Sequence, residues 1–214
     1  MRNERIKMIF LISVFYGSLW GMSEAILGYA LHLLPFAVSG FVMFPIGFYL
    51  MSKAYNETQN ASTVFYTGIV AAIIKLIDLF LPLMPLKTIN PAVSILMESL
   101  IAATAIKLYF SKSVRLGVVG AIFASIGWRL FFVIYVYVLT FFSIPSGLLE
   151  SGNTQVLKFI LLEGVVNSAI ILVCAKAVKA NVLQGVLKKV NIRPLIPVCL
   201  FVAALTFTLV FAII

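Results

Sequence analysis

The stretch IFLISVFYGSLWGMSEAILGYALHLLP, Ile9 to Pro35, decides the fold. It is longer than the roughly 20 apolar residues a helix needs to cross a bilayer, and it holds no lysine or arginine. Laid on a helix, Gly17, Gly21, Glu24, Ala25, Gly28 and His32 share an arc of about 100°. The small residues form a Gly-xxx-Gly-xxx-Ala ladder, the pattern that lets a second helix approach closely. The other two positions are the single histidine of the chain and a carboxylate deep in an apolar run. Such groups face protein or a water-lined cavity, so this helix reads as a packing seam with chemistry on it.

Outward from this stretch the rest of the chain has the same character. Mean hydropathy is +1.14, with 63% hydrophobic and 11% charged residues, the profile of an all-α polytopic membrane protein. Six to seven transmembrane helices are predicted in a single integral membrane domain, residues 1–214. They fall at about residues 8–34, 36–51, 63–84, 92–110, 116–142, 156–178 and 195–214, with a basic amphipathic segment at 179–193. Because further spans follow the first at once, it is not read as a cleaved signal peptide. Span two is short and contains Gly40, Pro45 and Gly47, so it reads as a tight hairpin helix or a broken one. Lys53 to Ser62 reads as a polar loop. Lys87 to Pro91 reads as a turn, with Asn90 capping the helix that follows.

The charge of +9 is distributed as a membrane protein distributes it. Arg2, Arg5, Lys7, Lys53, Lys107, Lys112, Arg115, Lys176, Lys179, Lys188, Lys189 and Arg193 fall on one side of the seven spans. Lys87 and Lys158 fall on the other. The positive-inside rule then puts the N-terminus in the cytoplasm, and the location expected is a cell membrane, bacterial or archaeal. No nucleic acid is expected as a partner; anionic lipid is. Cys174 and Cys199 lie in apolar spans and suggest neither a disulfide nor a metal motif.

Catalytic signatures are absent from the sequence: no H-E-x-x-H, no G-x-S-x-G, one histidine only. The reading is a non-enzyme without cofactor or metal. It also has no G-x-x-x-x-G-K-[ST] loop, so ATP can drive it only through a partner. Chemistry instead gathers in the spans, where Glu24, Asp78, Glu98 and Glu163 meet only Lys75 and Arg129. Lys75 and Asp78, three apart, can pair with each other. Arg129 can neutralise one of the carboxylates. The excess of acids implies a cationic or amine-bearing ligand, or protonated carboxyls.

With its small-residue ladder Gly17, Gly21, Ala25 in the first helix, its length, its basic hydrophobic character and its lack of an ATPase, the chain resembles the substrate-binding S-components of energy-coupling factor transporters. The resemblance covers about residues 8–179. It implies uptake of a small vitamin-like or cationic micronutrient, energised by a separate ATPase module through a transmembrane coupling subunit. It implies docking onto that subunit by Gly17, Gly21 and Ala25. A ligand pocket near the outer helix ends would use His32, Asp78, Glu98, Arg129 and Glu163, with Trp128 or Tyr135 beside them. Residues 36–39 and Pro85 to Asn90 would serve as lids. The chain departs from that family in its seventh span and in placing Glu24 and His32 on the ladder's face. Two other readings remain: a stand-alone proton- or cation-coupled transporter or channel, and an assembly subunit of a larger membrane complex.

Overall fold

The computed structural model describes residues 2–28, 39–80, 85–145, 147–179 and 194–211. The protein is an all-α polytopic membrane protein. Its helices are α1 (Arg2–Ser23), α2 (Ser39–Thr58), α3 (Ala61–Leu76), α4 (Pro85–Tyr109), α5 (Val114–Phe141), α6 (Asn153–Leu157), α7 (Glu163–Lys179) and α8 (Leu195–Phe211). π-helical turns extend α1 over Glu24–Gly28 and join α6 to α7 over Lys158–Leu162, and a 3-10 turn, Ile77–Phe80, ends α3. Among the described residues, five helical stretches are long and apolar enough to cross a bilayer: Asn3–Leu27, Ala61–Phe80, Pro85–Tyr109, Val114–Phe141 and Asn153–Cys174.

The two remaining predicted spans behave differently. Helix α2 is continuous for 20 residues through Pro45, about 30 Å at 1.5 Å per residue. Much of its surface is covered by protein: Met43, Phe44, Phe48, Met51 and Ala54 are all buried. Helix α8 has 17 residues, about 25 Å, and lies against α1.

The loop expected at Lys53 to Ser62 is corrected to a link of two residues. Helix α2 runs on to Thr58 because Lys53, Ala54 and Thr58 are buried against the bundle, and Thr58 donates to Thr63 across the link (2.8 Å). Gln59 takes the left-handed conformation (φ 52°), and Asn60 caps α3 by accepting from Ser62 N (3.0 Å). The turn expected at Lys87 to Pro91 is also corrected. Helix α4 already starts at Pro85, with Pro91 inside it, so the lid expected at Pro85 to Asn90 is helix. Asn90 does not cap; it accepts from Tyr135 Oη on α5 (3.0 Å).

Small residues set the helix spacing. A Cβ on Gly17 would lie 2.6 Å from Val70 Cβ, and one on Gly21 would lie 2.7 Å from Ile74 Cδ1. The ladder of α1 is thus filled by α3 of the same chain, which is the physical reason the docking surface expected at Gly17 and Gly21 is an internal seam. Ala25 continues it in the π-helical turn. Gly68 meets Ser99 between α3 and α4, and Gly127 meets Ile101 between α4 and α5. Such close approach substitutes van der Waals contact for the hydrophobic drive that lipid does not supply.

Toward the end carrying Lys53, Lys107, Lys112 and Arg115, here the basic end, the interior is an apolar core. Phe48, Met51, Ala71, Ala102, Ala105, Ile106, Tyr109 and Ala121 fill it. Tyr109 meets Phe48 edge-on (4.9 Å between centroids) and donates to the Ile171 carbonyl (2.7 Å).

Candidate functional site

Five helices bring their ionisable side chains into one connected cluster. It starts at the end of α3, where Lys75 Nζ and Asp78 Oδ2 pair at 2.8 Å, as their spacing predicts. Glu24, buried at the first position of the π-helical turn of α1, lies within the fields of Lys75 and Asp78 and beside the Trp20 indole N–H one turn back. Glu98 on α4 lies within the fields of Glu24 and Arg129. Arg129 on α5 reaches Glu163 on α7 at 3.7 Å. Two of its carboxylates, Glu24 and Glu163, sit at junctions with π-helical turns, which interrupt the regular helix and recur at functional sites.

Arg129 is the centre of this cluster and is fully buried (0% exposed). Its Nη1 donates to the Ser125 carbonyl one turn back (2.7 Å). With the Asn167 amide oriented to satisfy both of its ends, Oδ1 accepts from Arg129 Nη2 (2.9 Å) and the nitrogen donates to the Phe41 carbonyl (3.0 Å). The guanidinium also lies 4.5 Å from the Trp128 ring, 5.3 Å from Phe159 and 5.8 Å from Phe44. Aromatic faces attract a desolvated cation by about 2 kcal/mol, and an unpaired buried charge would cost several kcal/mol. The ring box and Asn167 therefore make a buried arginine tenable where its carboxylate partner is distant.

Satisfaction is incomplete. Glu98 accepts from Ser94 Oγ on Oε1 (2.9 Å), while its Oε2 is buried without a partner. Arg129 Nε, Trp128 Nε1 and Ser125 Oγ are buried and unpartnered as well. Buried polar groups are nearly always bonded, so these leftover atoms on α4 and α5 mark a place left for something polar.

Of the residues singled out from sequence, Asp78, Glu98, Arg129 and Glu163 belong to this cluster. His32, residues 36–38 and the basic segment from 180 to 193 lie outside the described residues. Glu24, noted on the ladder's face but not assigned to the ligand, is a member. Phe44 and Phe159 went unnoticed in the sequence. Trp20 was detectable, being four residues before Glu24 on the same helix face.

A second polar group closes the basic end. Tyr16 Oη donates to Glu57, and Ser13 Oγ reaches the Thr63 carbonyl (3.4 Å). Burial pushes the Glu57 carboxyl up, against the opposing pull of the Tyr16 hydrogen bond and Lys53. Burial also draws the Lys53 ammonium down, against Glu57.

The chain matches no protein-family model, no curated protein and no solved structure.

Proposed function

We propose that this chain is a membrane subunit that binds a small vitamin-like or cationic solute for uptake, with release driven by a separate ATPase-bearing partner. One observation carries the reading. Apart from Lys53 at the basic end, the acidic and basic side chains of the interior among the described residues lie in the half of the bundle away from it, reaching in as far as Glu98, Arg129 and Glu163. Beyond them, between α2, α4 and α5, no acid or base enters the core among the described residues until Lys53 and Glu57 at the basic end. A polar site that stops against an apolar plug is a blind site, which suits binding from one side. A stand-alone ion path would need polar groups through the plug as well, and an assembly subunit would not need unpartnered atoms around Arg129.

Native mass spectrometry of the protein purified alone in mild detergent tests this reading. A small molecule retained in stoichiometric amount, and lost in Glu98→Gln, is the expected result. A clean apo mass combined with cation flux in liposomes would instead favour the stand-alone transporter.

A further inference from the structure

We infer that the cluster around Glu98 and Arg129 takes a bifunctional solute, one carrying an ammonium group and a hydrogen-bond acceptor on the same small skeleton. This deepens the solute-binding reading and rests on it. Pairing within the cluster is uneven: Lys75 answers Asp78 and Arg129 answers Glu163. Glu24 and Glu98 are left without a salt bridge among the described residues. Glu98 is 3% exposed, and the orphaned Oε2 of its carboxylate is an acceptor in need of a donor.

On α5, whose Arg129 acts on Glu98 electrostatically, the orphans are of the opposite kind. Arg129 Nε and Trp128 Nε1 are donors in need of an acceptor, and Ser125 Oγ can serve either way. A bare cation would satisfy Glu98 and leave these donors unmet, while an anion would do the reverse. A solute offering N–H to Glu98 and a carbonyl or carboxylate oxygen to Arg129 and Trp128 satisfies both, and each buried group left unmet costs about 1–3 kcal/mol. The rings of Phe44 and Phe159, both packed on Trp128, offer apolar surface for the solute body and faces for the cation. The unpartnered atoms are closed over in this structure, so the solute is admitted as the side chains part.

The only two tryptophans of the chain, Trp20 and Trp128, both belong to the cluster, so their fluorescence reports its occupancy. The probes are leucinamide, which has both functions, and its two halves, 3-methylbutylamine and 4-methylpentanamide. Each is titrated into the full chain in detergent at mildly acidic pH. Leucinamide is expected to saturate at a concentration about tenfold or more below either half, the factor that about 1.4 kcal/mol of added pairing gives. Glu98→Gln should erase its advantage over 4-methylpentanamide. Trp128→Phe, read through Trp20, should erase its advantage over 3-methylbutylamine. Should Glu98→Gln fail to fold, Ser94→Ala removes only the hydroxyl that orients Glu98 and should shrink the same advantage. Equal affinity for leucinamide and either half, or no saturable change with any of the three, overturns the inference. A co-purified molecule without a protonatable nitrogen also overturns it, yet leaves the solute-binding reading standing.

Discussion

Toward the basic end, Phe48, Met51, Ala102, Ala105 and Ile106 fill the interior by shape alone. Toward the other end the bundle carries Asp78, Glu98 and Arg129, held by pairing, hydrogen bonds and ring faces, with Glu24 buried beside them. The apolar half is closely packed: its small residues admit neighbours at contact distance and the Tyr109 phenol has its acceptor, with Ser52 Oγ and Lys53 Nζ left unpartnered only at its basic margin. The polar half is incomplete, with buried donors and acceptors left over. Stability alone favours the first arrangement, since a well-packed apolar core costs no desolvation. The second therefore points to function.

The sharpest way to break this contrast is Arg129→Leu. It removes the charge that the ring box and Asn167 were arranged around, and should lower unfolding stability by about 3–5 kcal/mol. Unfolding by SDS in mixed micelles would read the loss. Glu163→Gln should cost much less, because the pair is 3.7 Å apart and the Glu163 side chain is 24% exposed. Equal losses for the two variants would mean that the ion pair, rather than the ring box, holds Arg129.

The packing along the α1–α3 seam is tested by Gly21→Val. Its Cβ would meet Ile74 at 2.7 Å, and overpacking of this kind costs about 1–3 kcal/mol. Adding Ile74→Ala should recover part of that loss. Strict additivity of the two substitutions would contradict the contact.

A smaller effect is expected at the link between α2 and α3. Asn60→Ala removes the cap on Ser62 N and should cost about 1 kcal/mol in the same unfolding assay, without changing solute binding.

The smallest effect is a dependence on pH. Burial raises the Glu57 carboxyl above its ordinary value, so the unfolded chain releases this proton first as pH rises. The stability that the protonated carboxyl contributes is present in full below its unfolded value, about 4.3, and is lost as pH rises through the folded one. Glu57→Gln should flatten that slope. Because Glu57 is exposed as a residue, the change should be slight; a slope unchanged by the substitution would remove Glu57 as its source.

How far the sequence reached differs between elements for physical reasons. The Lys75–Asp78 pair was legible because both groups lie on one helix, where a spacing of three fixes their proximity. That Arg129 would answer a carboxylate was legible too, but not which one, since the choice between four depends on how α5 meets α4 and α7. Helix ends were misjudged where polarity and proline suggested breaks: Lys53 and Thr58 are buried by neighbouring helices, and Pro91 continues inside α4. The glycine ladder was visible as a seam, while its partner, α3 of this chain, was not.

By itself the sequence determined that this chain is a multi-pass helical membrane protein and that its apolar spans hold a costly set of acids and bases. Hydropathy and the expense of intramembrane charge depend on residue type alone, and local spacing supplies the rest. Only the tertiary structure decided that these groups join into one cluster, that Phe44, Phe159 and Asn167 complete the surroundings of Arg129, and that Glu98 Oε2 and Arg129 Nε are left over. Those facts depend on the register between helices far apart in the chain, and that register is set by which small residues meet which large ones.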